Sequence, residues 1–381
     1  MLKRILINNV KRAVLFNGLM CFCTFALGTC IPLIRRDFGI SRSLASLQNL
    51  FYAVGVIAVA SSMSKILRTF KPISVMRFGW TTVFAGTLFF VTGPTLWITV
   101  PGSFLVGAGS GLFGNINTAI LGRPGLNIYK NVLFATGLGC ICGAFAASYI
   151  GEMVRLGVGW RTAMVIPILV ITLIAMRYMP YPSDSHNQHK GRVSERISKE
   201  VLLMILFASG CLFVEVAMGA WVIDLLISRH VQIGNSLIFS SGLSYLIGIS
   251  RLVYCHFHKV SLTKIWMSST ALLILGLLMI IFTSSSVVTI LGLVIGGFGL
   301  GPLGAIAYVM CMQTSLGVYK GVASFALGSG VSLSFAPIFI GFISDCWGFR
   351  YAYSTVVIGV IATYIIFKAL LRHRALALAE Y

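Results

Sequence analysis

Long apolar runs, broken only by short polar and basic interruptions, fill this chain from about residue 13 to residue 371. We place spans near 13–34, 44–65, 75–92, 97–121, 131–153, 160–179, 200–227, 235–255, 263–283, 286–312, 319–343 and 350–371. A helix needs about 20 apolar residues to cross roughly 30 Å of hydrocarbon, and the runs match that length. The strict two-residue alternation of a membrane barrel strand is missing, so the runs predict helices. The third span is the shortest and is expected to borrow a turn from its loop. The expected fold class is therefore an all-α polytopic membrane protein with twelve transmembrane helices.

Composition sharpens that reading. Of 381 residues 57% are hydrophobic and 10% charged, and the mean hydropathy is +0.94. Soluble domains carry about a quarter charged residues. A net charge of +20 would otherwise suggest nucleic acid. Here the basic residues sit in short clusters between spans, so no nucleic-acid partner is expected. With the N-terminus inside, 22 of the 29 Lys and Arg fall on the cytoplasmic side and 7 on the other. Positive residues stay inside, which predicts an integral plasma- or inner-membrane protein with both termini cytoplasmic. The basic start and following apolar run resemble a signal peptide, but Ala13 to Ile34 is long enough to span and Arg35-Arg36 follows it. An uncleaved first helix is expected. Seven of the nine cysteines (Cys21, Cys23, Cys30, Cys140, Cys142, Cys211 and Cys311) lie in apolar stretches and are read as small buried thiols.

The hydrophilic stretch from Pro180 to Glu200 has no apolar periodicity and reads as a linker. It divides the chain into a six-helix bundle at 1–179, a cytoplasmic linker at 180–199 and a second bundle at 200–381. The two parts repeat one another. Gly107, Gly109, Gly111 and Gly114 recur 190 residues later as Gly297, Gly299, Gly301 and Gly304, and Tyr129-Lys130 recurs as Tyr319-Lys320. Tyr52-x-x-Gly55 matches Tyr245-x-x-Gly248 at an offset of 193, and Gly159-Trp160-Arg161 is echoed by Gly348-Phe349-Arg350 at 189. Several matches in one order at nearly one shift mark an internal duplication. Six helices return each copy to the same side, so the copies are parallel, as in a recurrent transporter plan.

With this layout, Gly159-Trp160-Arg161-Thr162-Ala163 entering the sixth span, and Gly341-Phe342-Ile343-Ser344-Asp345-x-x-Gly348-Phe349-Arg350 after the eleventh, the chain resembles the major facilitator superfamily. The resemblance covers essentially the whole chain and implies alternating access to a central site. There are departures. The family's Gly-x-x-x-Asp-Arg-x-Gly-Arg-Arg-like loop is replaced at 61–71 by a basic stretch with neither the Gly nor the Asp, implying a cytoplasmic latch that is weakened or remade. Ser103 stands where proton-coupled members often place an Arg, and Gly139-x-x-x-Gly143 lacks the Gly-Pro step of drug/proton antiporters. These departures argue against a standard multidrug exporter.

Among acidic residues only Glu215 falls mid-span. A carboxylate in hydrocarbon is costly unless neutral, paired or facing water. Burial raises the pKa of such a group, which suits a proton-titrating site; the plainer alternative is a protonated Glu bonded to a neighbouring helix. Arg251 can counter an anionic substrate, pair with Glu215, or snorkel to the interface. Asp224 and Glu152, near outer ends, are read as solvated. Polar candidates for a solute cavity include Gln48, Asn49, Tyr52, Thr136 and Tyr245, each with interhelical hydrogen bonding as the alternative. The glycine ladders are read as packing surfaces; a nucleotide loop would need a following Lys-Ser/Thr. His186-x-x-His189 and His256-x-His258 are read as surface histidines, so no metal or other cofactor is expected. No clustered catalytic groups point to an enzyme. The expected function is secondary transport of a small solute by a monomer in the lipid bilayer, possible proton coupling running through Glu215. An uncoupled uniporter and a transport-inactive sensor with the same fold stay open.

Overall fold

The computed structural model describes residues 2–121, 127–179, 198–313 and 318–379. The linker residues 180–197, with His186-x-x-His189, lie outside them. Among the described residues there are fourteen helices and no strand. They are α1 Leu2–Phe38, α2 Arg42–Ala45, α3 Leu47–Thr69, α4 Pro72–Thr92, α5 Leu96–Leu121, α6 Ile128–Arg155 and α7 Trp160–Tyr178. Then follow α8 Lys199–Ala220, α9 Val222–Ser228, α10 Ile233–Tyr254, α11 Leu262–Phe282, α12 Ser286–Met312, α13 Val318–Trp347 and α14 Phe349–Ala379. Ten are long and apolar enough to cross a membrane; α3 and α10 carry shorter apolar stretches, Leu47–Met63 and Ile238–Tyr254.

The boundaries follow local chemistry. Pro72 opens α4, where its missing N–H costs no helical bond. Asn127, Ser198 and Ser261 cap α6, α8 and α11 by accepting from the backbone N–H three residues on. Gly157 and Gly348, 191 residues apart, take φ of 82° and 85° at the turns leading into α7 and α14. Side chains rarely adopt that left-handed region, so these two turns require glycine.

Two expected spans are each broken in two. The second divides at Ser46 into α2 and α3, and the seventh at Trp221 into α8 and α9. At the second break Trp221 Nε1–H donates to Pro337 O at 2.8 Å, and its ring lies against Gly341 of α13. This tertiary anchor fixes the bend. The first and last helices also extend beyond the apolar runs that announce them, with α1 beginning at Leu2 and α14 ending at Ala379.

The duplication is visible in the packing. A Cβ at Gly109 would lie 2.5 Å from Gly79 O on α4; one at Gly299 would lie 2.6 Å from Ser269 O on α11. Gly107 and Gly111 face α3, while Gly297 and Gly301 face α10. Two further pairs, Gly86–Gly102 and Gly276–Gly292, bring α4 onto α5 and α11 onto α12 at the same offset of 190. Small residues let helix backbones approach closely where no hydrophobic force drives them together. One apolar core runs from Phe16 to Met179 and another from Met204 to Leu370, the latter joined by Tyr129, Val132, Leu133 and Cys140 of α6. Helix α6 packs along α10, and α3 along α13.

Candidate functional site

The mid-span carboxylate does not stand alone. Arg251 of α10 aims its guanidinium at α8, where Nη2 donates to both oxygens of Glu215, at 2.8 and 2.7 Å. Its Nε donates to Gly301 O of α12 at 2.7 Å, and Nη1 to Cys140 Sγ of α6 at 3.0 Å. Every nitrogen of the side chain is engaged, and Arg251 is only 6% exposed. Pairing with Glu215, one of the readings open from sequence, is the arrangement observed.

Two features of α12 make room for this charge pair. Gly304 has no side chain where a Cβ would sit 2.6 Å from Glu215 Oε2 and 3.4 Å from the guanidinium. Pro302 has no N–H to give Phe298 O, four residues earlier, and Ser250 Oγ–H supplies a bond to that carbonyl at 2.5 Å. Adjacent residues of α10 thus clamp α12 through two backbone carbonyls, Phe298 O and Gly301 O, three residues apart. Despite Pro302, α12 runs unbroken from Ser286 to Met312. On the opposite side, Gly137 of α6 and Gly248 of α10 let backbones meet beside Arg251, a Cβ at Gly137 lying 3.0 Å from Gly248 O. The pair therefore sits where α8, α10 and α12 meet α6.

The other candidates make no hydrogen bond to the pair. Gln48 is fully buried between α3 and α5: Nε2 donates to Thr99 Oγ1 at 2.6 Å, and Oε1 accepts from Ser103 Oγ at 2.5 Å. Ser103, at a position the resemblance associates with Arg, is a partner of that amide. Tyr52 Oη lies 3.1 Å from Ser110 Oγ. Thr136 donates to Val132 O of its own helix at 2.8 Å. Asn49 and Tyr245 are partly buried and make no side-chain hydrogen bond among the described residues. No group of three metal-ligating side chains occurs among those residues.

Polar ties cross from α1–α7 to α8–α14 at both ends of the bundle. Where α1 stops, Arg35 Nη1 lies 3.7 Å from Asp224 Oδ1, and Ser148 Oγ donates to Ser241 Oγ at 3.2 Å. At the opposite end Tyr129 Oη donates to Tyr254 O at 2.9 Å, and Tyr308 Oη to Thr118 Oγ1. Asp224 is thus no solvated end group, because the bend at Trp221 carries it toward α1; Glu152 does stay at the surface, beside Arg155 at 2.6 Å. Sequence reasoning missed Cys140, Ser250 and Gly304 as parts of one cluster. A signal existed for Gly304 alone, through the offset of 190, since it answers to Gly114, which has nothing within 4 Å of its Cβ position.

No family model matches the sequence, and no curated protein does. Solved structures match across almost its entire length. A proton:xylose symporter, XylE, bound to 6-bromo-6-deoxy-D-glucose, superposes with a TM-score of 0.76 at 11% identity, covering 97% of this chain and 96% of that one. The fold is that of the major facilitator superfamily transporters. The E. coli fucose:proton symporter FucP shares this superfamily fold with a TM-score of 0.71 at 12% identity, over 96% of this chain and 99% of its own. A bacterial homologue of the human lysosomal transporter Spinster, inward-facing and occupied, gives 0.69 at 12% identity over 95% and 96%.

Proposed function

We propose that this chain is a secondary transporter that carries a small solute across a membrane by alternating access, with Glu215 and Arg251 as its charge-coupling centre. The halves 1–179 and 200–381 rock about the α6–α10 and α3–α13 contacts, with both termini and the 180–199 linker cytoplasmic. The observation that carries the reading is the buried pair itself, held by three helices of the second half while its guanidinium also touches Cys140 of the first. Protonation of Glu215 removes the charge that Nη2 holds and frees α8 from α10, while Nε keeps α10 on Gly301. A proton thereby changes which helices move together. Proton symporters among the structural neighbours support this coupling, and a monomer suffices for it.

The solute is proposed to meet Asn49 and Tyr52 of α3 and Tyr245 of α10. Purified protein in liposomes, given a panel of labelled solutes with and without an inward pH gradient, tests the proposal. Saturable uptake that the pH gradient drives uphill is expected, with Glu215→Gln keeping downhill flux and losing accumulation. Binding without flux would mark the chain as a sensor instead, and accumulation intact in Glu215→Gln would move the coupling elsewhere.

A further inference from the structure

A groove of about 400 Å³ opens between Val10–Leu15 of α1 and Lys130–Leu138 of α6. Its lining is apolar at Val10, Val14, Leu15, Phe134 and Leu138 and polar at Lys11, Lys130 and Asn131. Both lysines are exposed, and neither has a carboxylate within ion-pair distance among the described residues. Leu15 and Phe134 are 54% and 44% exposed, so the groove opens outward from the bundle toward lipid.

The dimensions and chemistry fit one kind of ligand. The eight steps from Lys130 to Leu138 rise about 12 Å along α6, close to the roughly 15 Å of one hydrocarbon leaflet. The occupant is thus anionic at one end and apolar for nearly a leaflet's depth. Helices α1 and α6 both enter from the side to which the positive-inside count assigns the cytoplasm, where anionic lipids concentrate and basic pockets between helices hold their headgroups. We infer that this groove binds an anionic phospholipid of the cytoplasmic leaflet, its phosphodiester against Lys11 and Lys130 and an acyl chain along Val14, Leu15, Phe134 and Leu138. Lys130 lies in the first turn of α6, the helix that carries Cys140 to Arg251, so the bound lipid steadies a helix of the proposed transport site. The site itself does not depend on what the chain carries, and its failure would leave the transport reading untouched.

Native mass spectrometry of the purified full chain in neutral detergent, titrated with dioleoyl phosphatidylglycerol or dioleoyl phosphatidylcholine, reads the site directly. Preferential retention of phosphatidylglycerol is expected. Lys11→Gln/Lys130→Gln should weaken it roughly thirtyfold, from about 1 kcal/mol per basic residue near an anionic headgroup. Lys65→Gln/Arg68→Gln removes the same charge elsewhere and should leave retention unchanged. Excess inorganic phosphate should not displace the lipid. Equal retention of both lipids, equal loss in the two double variants, or displacement by phosphate would each overturn the assignment.

Discussion

Removing Arg251 alone should damage the protein more than removing Arg251 and Glu215 together. In Arg251→Met the Glu215 carboxylate loses both contacts to Nη2, at 2.8 and 2.7 Å, and Gly301 O loses its 2.7 Å donor. Stripping one partner from a buried pair costs about 3–5 kcal/mol, because the remaining charge is left uncompensated in a poor solvent. Glu215 keeps 18% of its side-chain surface exposed, so the lower end, about 3 kcal/mol, applies. Replacing both by apolar residues of similar volume is near neutral, so Glu215→Leu/Arg251→Met should recover most of the loss. Equilibrium unfolding in mixed detergent micelles at pH 7.5, followed by tryptophan fluorescence across wild type, both single variants and the double, gives the coupling energy. Single losses below about 1 kcal/mol, or a double loss equal to the sum of the singles, would show that the contact in the structure does not bind the helices.

The repeat-related glycines should respond oppositely to alanine. Gly304→Ala forces a Cβ against Glu215 Oε2 and is expected to lower unfolding stability by about 1–3 kcal/mol, as overpacking does, while Gly114→Ala meets open space and should be neutral or gain up to about 1 kcal/mol from lost chain entropy. Gln48→Leu removes two hydrogen bonds between α3 and α5 but leaves Thr99 and Ser103 their own backbone acceptors. It should cost about 1 kcal/mol or less in the same assay and leave solute affinity unchanged; a large loss of affinity with normal stability would place Gln48 at the solute.

Much of the fold was written in the apolar runs, because in a bilayer length and hydropathy decide which segments cross. Helix limits such as Trp160–Tyr178 and Ser286–Met312 fall within a residue of the sequence reading. The breaks at Ser46 and Trp221 were not legible, since the second depends on a hydrogen bond to Pro337, 116 residues away. The ladders announced the close packing found at Gly107, Gly109, Gly111, Gly297, Gly299 and Gly301, though not at Gly114. They did not reveal that one rung, Gly304, holds space for a charge pair. Glu215 and Arg251 stood out singly as costly intramembrane charges. Their union rests on Gly301, Gly304 and Ser250, whose types are common and whose role exists only once α8, α10 and α12 are assembled. Gln48 shows the converse. A polar residue in an apolar span looked like cavity lining, and its amide proved to bridge two helices of the first half.

Alternating access requires the contact between the starts of α10 and the ends of α6 to part and re-form. Ser148 Oγ and Ser241 Oγ stand 3.2 Å apart there, close enough for a disulfide after substitution. In a Cys346→Ser background, which removes the exposed native thiol, Ser148→Cys/Ser241→Cys reconstituted into liposomes should carry solute when reduced, stop when oxidised, and resume on adding reductant. Undiminished flux through the fully cross-linked protein would contradict the rocking of one half against the other.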